Sequence, residues 1–252
     1  MILQTRLPVA PWADPALARM PGMRPVEGLW IVVDDAYAAQ VAEKRRLLAE
    51  RPEAVLAALP GSEAAQAEVL EAALDALPEG FAVEGGAVAT PDGRHVPLGD
   101  PLPTLGALLQ EDLLLLERRG AEHVLVAGLL CFPASWTLAE KIGRPLTRIH
   151  RPVASYDADL AGRVQRLFDR ARPGRPMWRM NALGYHDPAL FQPRTEAAPK
   201  VERPARFLRC ERQTVLALPS GSALFAVHTT VVRPEALTVA QRAGCPVTFA
   251  PD

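Results

Sequence analysis

Proline sets the first limit on this chain, at 25 of 252 residues. Each proline fixes φ, lacks a backbone N–H and turns the residue before it away from helix. The prolines are spread along the whole length, so neither a long-helix bundle nor one flat sheet can fill it. Regular elements must be short and separated by turns. Five of the prolines, Pro8, Pro11, Pro15, Pro21 and Pro25, fall in an irregular arm over residues 1–28. Trp12, Met20 and Met23 are its expected anchors.

Hydrophobic periodicity then places the elements. Leu29–Val33 reads as a short strand ending at Asp34-Asp35. Ala36–Leu59 reads as helix with a break at Pro52, and Glu63–Leu77 as a second helix behind Ser62. Leu105–Arg119 reads as a third, with Thr104 as its N-cap. The run Leu113-Leu-Leu-Leu116 makes that helix apolar around most of its circumference, and therefore buried. His123–Phe132 reads as a strand, followed by a short helix through Lys141, a loop over residues 143–156 and an amphipathic helix over Asp157–Ala171. Met177–Leu183 is another short strand. Phe207–Leu218 and Ala223–Val232, joined by Pro219-Ser-Gly-Ser222, form an antiparallel hairpin. The fold class is α+β, with helices early and a mostly antiparallel sheet late, in a single domain spanning residues 1–252.

Composition excludes several classes. Hydrophobic residues make up 49% and charged residues 23%, as in a globular protein. The formal net charge is −1, without the basic surplus of a general nucleic-acid binder. No apolar run approaches the roughly 20 residues of a membrane span, and the N-terminus has no secretory h-region. Cys131, Cys210 and Cys245 are far apart, so neither a disulfide framework nor a CxxC metal motif is expected, and a reducing cytoplasm is the default. There is no Gly-rich phosphate loop, no HExxH and no GxSxG elbow.

Two constellations carry possible chemistry. The first, residues 131–153, gathers Trp136, Lys141, Arg144, Arg148, His150 and Arg151. An imidazole there can ligate iron, zinc or copper or move protons, and the cations can pair with carboxylates or phosphates. The plain alternative is a loop-capping His150 among solvated cations. The other histidines lie in turns, loops or strands, His228 in the last strand. The second constellation is on the hairpin. Alternation puts Leu208, Cys210, Arg212, Thr214 and Leu216 on one face, and Phe207, Arg209, Glu211, Gln213 and Val215 on the other. Arg212 thus shares an apolar face and must either form a structural ion pair or meet a bound anion. Glu211 either faces a cationic substrate or is an exposed strand carboxylate.

Several segments occur here in a family-like order. They are Pro103-Thr-Leu-Gly106, Gln110-Glu-Asp112, Cys131-Phe-Pro133 with Ser135-Trp136, Glu140-Lys-Ile-Gly-Arg-Pro145 and Ile149-His-Arg-Pro-Val153. Arg179-Met-Asn181, Asp187-Pro-Ala-Leu-Phe191, Glu211-Arg-Gln-Thr214 and Leu218-Pro219 complete the set. Together, over about residues 25–235, the chain resembles the alpha-subunit family of haem-dependent oxidative N-demethylases. The resemblance implies a PAS-like antiparallel sheet with flanking helices and a haem b pocket. It implies monooxygenase removal of a methyl group from a small secondary amine such as dimethylamine, using O2. Electrons would come from NAD(P)H through separate flavin and iron–sulfur reductase subunits, with neither nucleic acid nor membrane as partner. On this resemblance His150 is the axial iron ligand, because it lies in a family-like segment. Lys141, Arg144, Arg148 and Arg212 would meet the propionates, and Glu211 and Arg212 are the catalytic candidates. The chain departs from the family at Ala182 and Thr230, where aromatics are usual. A larger pocket, another amine, or a non-catalytic PAS-like haem or small-ligand binding protein would follow.

Overall fold

The computed structural model describes residues 1–18, 20–152 and 156–250. An eight-stranded antiparallel sheet organises it. From edge to edge it runs β1 (Arg24–Pro25), β8 (Met177–Met180), β10 (Phe207–Ala217), β11 (Ala223–Val232), β6 (Asp112–Arg119), β7 (Glu122–Leu129) and β2 (Leu56–Ala58), with β9 (Leu183–Tyr185) also pairing with β10. A small separate sheet holds β3 (Ala82–Glu84), β4 (Ala87–Ala89) and β5 (His95–Pro97). The helices are α1 (Tyr37–Glu50), α2 (Pro52–Val55), α3 (Glu63–Leu74), α4 (Pro101–Leu108), α5 (Leu138–Lys141), α6 (Leu146–Ile149), α7 (Ala158–Asp169) and α8 (Val239–Ala243). A mixed fold with a large antiparallel sheet and flanking helices is therefore observed.

The hairpin is as the alternation specified. β10 and β11 pair from Leu208↔Val232 to Ala217↔Ala223, and Gly221 takes φ +87° in the turn. Asp157 caps α7 by accepting from the Leu160 N–H at 2.8 Å.

Three readings are corrected. The helix expected over Leu105–Arg119 ends at Leu108, and Leu113–Leu116 are strand β6. Leu113 and Leu115 enter the core beneath the early helices, while Leu114 and Leu116 enter the clusters on the other face. A strand covered on both faces is apolar without alternation, which is also the pattern of a buried helix. The helix expected to run to Leu59 stops at Val55, where the chain becomes β2. Leu29–Val33, expected as a strand, forms none, and Trp30 lies in a bend. The Val32 and Asp34 N–H groups donate instead to Glu111 Oε1 (2.8 Å) and Gln110 Oε1 (3.0 Å).

The sheet separates two layers. On one side Leu113, Leu115, Leu216 and Leu224 pack with α1, α3 and α4 in the main core. On the other, Leu114, Leu116, Val215 and Phe225 meet α5, α6 and α7 through Leu138, Leu146, Ile149 and Phe168. The N-terminal arm closes one end. Gln4 N–H donates to the Val231 carbonyl at 2.9 Å, and Trp12 Nε1–H donates to the Gln241 carbonyl at 3.1 Å. Met23 packs against the α7 cluster, whereas Met20 stays exposed.

Candidate functional site

His150 follows the last residue of α6, on the layer that covers Leu114 and Phe225. Its imidazole is half-buried and stacks on Tyr156, with centroids 4.3 Å apart and planes 13° from parallel. Nδ1 lies 2.9 Å from the Leu146 carbonyl. A carbonyl only accepts, so Nδ1 carries the proton, and the Nε2 lone pair has no partner among the described residues. Burial pushes this imidazole below its ordinary value, the Leu146 carbonyl works against that, and the nearby charge of Lys141 adds to the lowering. A neutral imidazole fixed through Nδ1 to a backbone carbonyl has the form of a metal-ligating histidine. Trp136, Ile142 and Ile149 supply an apolar surround on the same layer. Val153, the end of the Ile149–Val153 segment, lies outside the described residues.

The expected cations divide. Lys141 Nζ and Arg148 both converge on Glu196, at 2.7 Å and, for the two guanidinium contacts, 2.9 and 3.1 Å. Hydrogen bonds from Arg148 and Lys141 hold that carboxyl at about 2. Two cations here are thus built around one carboxylate. Arg144 is exposed. Arg212 lies on the opposite side of the sheet. Its Nη1–H donates to the Trp30 carbonyl at 3.2 Å and its guanidinium sits 5.0 Å from the Trp178 ring. Among the described residues it has no carboxylate within ion-pair distance. Burial lowers its pKa, with Glu111 opposing.

Glu211 is buried on the face of β10 opposite Arg212. Asn181 Nδ2–H donates to its Oε2 at 3.1 Å and Arg209 approaches its Oε1 at 3.3 Å. Arg209, only 1% exposed, also donates to the carbonyls of Leu190 (3.1 Å) and Phe132. Arg179 Nη1–H donates to Gln213 Oε1 at 2.9 Å, and its buried Nε has no partner among the described residues. Register explains this convergence. Arg179 is paired with Gln213 across β8 and β10, so residues of both strands alternate onto one face together. Tyr185 O–H and Ser135 Oγ meet at 3.0 Å beside it, and Ser135 takes φ +65°.

A second polar cluster is deeper. Lys44 Nζ is fully buried, 3.3 Å from Asp112 Oδ1, and also donates to the Gln110 and Glu111 carbonyls. Asp112 accepts the N–H groups of Cys131 (2.9 Å) and Phe132 (2.7 Å), so it aims the segment whose Phe132 carbonyl binds Arg209. Burial pushes the Asp112 carboxyl up against the pull of Lys44 and those amides. His228 is the direct cross-strand partner of Arg212. Facing cations repel, and carboxylates compensate. His228 Nε2–H donates to Asp34 Oδ2 at 3.0 Å, and Nδ1 lies 3.3 Å from Glu111 Oε1 as a charge contact.

None of Lys44, Asp34, Arg209 or His228 is evident from residue type alone. Lys44 had the clearest signal, because it stands three residues from both Val41 and Leu47 on the apolar stripe of α1.

His228 makes stability pH-dependent. Burial disfavours its charged form, but the Asp34 hydrogen bond and the charges of Asp34 and Glu111 outweigh this and push it up to about 9. Its stabilisation is complete below the unfolded value of about 6.5 and lost as pH rises through about 9. Urea titrations at about pH 6 and pH 9.5 should therefore show unfolding free energy lower by about 3 kcal/mol at the alkaline end. His228→Gln should remove this fall, and an equal stability of the parent chain at both pH values would contradict the arrangement.

Among the described residues, no three or more His, Cys, Asp and Glu side chains are grouped to hold a metal ion. No described helix is long and apolar enough to cross a membrane. Among curated proteins, none matches this chain. Around Arg209 and Glu211 meet Phe132, Asn181 and Leu190, each from a segment of the ordered set read from the sequence. The family model "Haem-dependent oxidative N-demethylase, alpha subunit-like" matches residues 24–245, and by that match the chain belongs to this family.

Proposed function

We propose that this chain is the haem-dependent oxygenase component of an N-demethylating system, acting on a small secondary amine such as dimethylamine. The observation that carries the reading is His150, a neutral, Nδ1-anchored imidazole on an apolar layer, in a chain of a haem-dependent family. Its donor chemistry fits a haem iron, to which Nε2 would bind. Lys141 and Arg148 already hold a carboxylate and, with Arg144, suit a propionate in the place of Glu196. Haem b supplies the oxygen chemistry when bound; the chain contributes orientation and electrostatics.

The amine substrate is cationic near neutral pH. Glu211 meets it as a carboxylate fixed on one oxygen by Arg209 and on the other by Asn181, so it does not reorganise on binding. Arg209 ties that carboxylate to the Phe132 and Leu190 carbonyls and keeps it from rotating away. Leu114 and Phe225 exclude water from the layer that carries His150. Arg212, on the other face, anchors the Trp30 segment in this reading. The fold is PAS-like, the compartment is cytoplasmic, and electrons arrive from NAD(P)H through separate flavin and iron–sulfur subunits.

Formaldehyde release from dimethylamine in the presence of haem-loaded protein, O2, NADPH and a flavin/iron–sulfur reductase tests the reading. One formaldehyde per amine is expected, with kcat/KM lowered roughly tenfold to hundredfold in Glu211→Gln. Haem-loaded protein that releases none favours the second reading, a non-catalytic PAS-like haem or small-ligand binding protein. The observation behind that reading is the absence of two aromatics. Ala182 sits in the Met180–Leu208 cluster, and the Thr230 hydroxyl is buried without a partner among the described residues.

A further inference from the structure

The geometry points to a second ligand site, separate from the haem-binding layer: a cavity at the end of β9 that takes a dianionic phosphate group. The cavity holds about 350 Å³ between Tyr185 and the segment over residues 186–203. That volume is at the small end for ligand pockets, enough for a phosphate with a compact organic body. Three cations line it, Arg194, Lys200 and Arg203, against one lining carboxylate, Asp187. Asp187 is already engaged, its Oδ1 accepting the Ala189 N–H at 2.8 Å. Of the other acids of the segment, Glu196 is drawn away by Lys141 and Arg148, and Glu202, 85% exposed, pairs with Lys200 Nζ at 3.7 Å, so the two arginines are the cations left for a ligand.

Lys200 is positioned rather than free. Its Nζ donates to the Gly184 carbonyl at 3.0 Å and sits 4.4 Å from the centroid of the Tyr185 ring. His186 is held at the rim, its Nδ1–H donating to the Pro204 carbonyl at 3.2 Å. Arg194 and Arg203 have no carboxylate within ion-pair distance among the described residues, and both are exposed. The lining thus carries two positive charges in surplus. A phosphate monoester brings about −1.5 to −2 at neutral pH, and guanidinium groups match its oxygens in bidentate fashion. A monocarboxylate would leave one of those charges unmet. The cavity wall is also shared with the first site, because the Tyr185 hydroxyl bonds Ser135 Oγ at 3.0 Å.

Isothermal titration of the full chain with phenyl phosphate in low-salt buffer tests the proposal, with benzoate as the singly charged control. The expected result is saturable 1:1 binding of phenyl phosphate, benzoate at least about tenfold weaker, and affinity lowered at least about tenfold in Arg194→Ser/Arg203→Ser. Both replaced side chains are exposed, so the far-UV circular dichroism of that variant should match the parent. Arg45→Ser, on α1, should leave the affinity unchanged. Absence of saturable binding at millimolar phenyl phosphate, equal binding of benzoate, or an unaltered double variant would overturn the proposal. None of these outcomes depends on whether iron is bound.

Discussion

His150→Ala, expressed with haem supplementation, is expected to lose the Soret absorption of the parent while keeping its far-UV circular dichroism. The imidazole is the one protein donor the account gives the iron. Even loss of a group that merely orients a metal ligand lowers metal affinity about 10- to 100-fold, and loss of the ligand itself exceeds that. The side chain is half-buried at the end of a four-residue helix, and among the described residues its ring bonds the carbonyl of its own turn and stacks on Tyr156. Its removal therefore leaves the sheet intact. His123 provides the control. It is buried against Phe168 and its Nδ1 is taken by Gln165 at 2.7 Å, so His123→Ala should retain the Soret band. A Soret band undiminished in His150→Ala would remove this residue as the axial ligand.

Lys44→Met should lower unfolding free energy by about 3–5 kcal/mol, the usual consequence of breaking a buried ion pair by removing one partner. Methionine fills a similar volume, so the loss comes from Asp112, left fully buried beside Cys131 and Phe132 without its cation. Lys44→Met/Asp112→Asn should recover much of that loss. The asparagine oxygen still accepts an N–H from residue 131 or 132, and no unpaired charge remains. Urea unfolding of the three proteins measures this. A loss below about 1 kcal/mol in Lys44→Met would show that the pair does not organise the segment leading to Arg209. The expected ordering links stability to the site, because the same segment carries the Phe132 carbonyl that receives Arg209.

Most of the late sheet was legible in the sequence and much of the early half was not, for a reason visible at Leu113–Leu116. Alternation identifies a strand only when its two faces differ, as they do along Arg209–Gln213, where Glu211 and Arg212 face opposite layers. β6 is apolar on both faces, so its pattern equals that of a buried helix. Leu29–Val33 shows the converse failure. Its composition is that of a strand, yet Gln110 and Glu111, about eighty residues later, take its N–H groups. Side chains distant in sequence decided that outcome. The candidate site follows the same rule. His150 and Glu211 stand out by residue type, whereas the burial of Arg209 and His228 depends on strand register and on carbonyls (Arg209) and carboxylates (His228) supplied by other segments. Arg212 looked buried and charged from alternation, but its carbonyl and indole partners come from Trp30 and Trp178.

The absorption spectrum of the purified parent chain, produced with haem supplementation and freed of excess haem, tests the central claim most directly. The account predicts a Soret band at a stoichiometry near one haem per chain, moved by added imidazole or cyanide as the iron exchanges its weaker ligand. A chain that folds by circular dichroism yet shows no Soret absorption, and acquires none on titration with haemin, would contradict it.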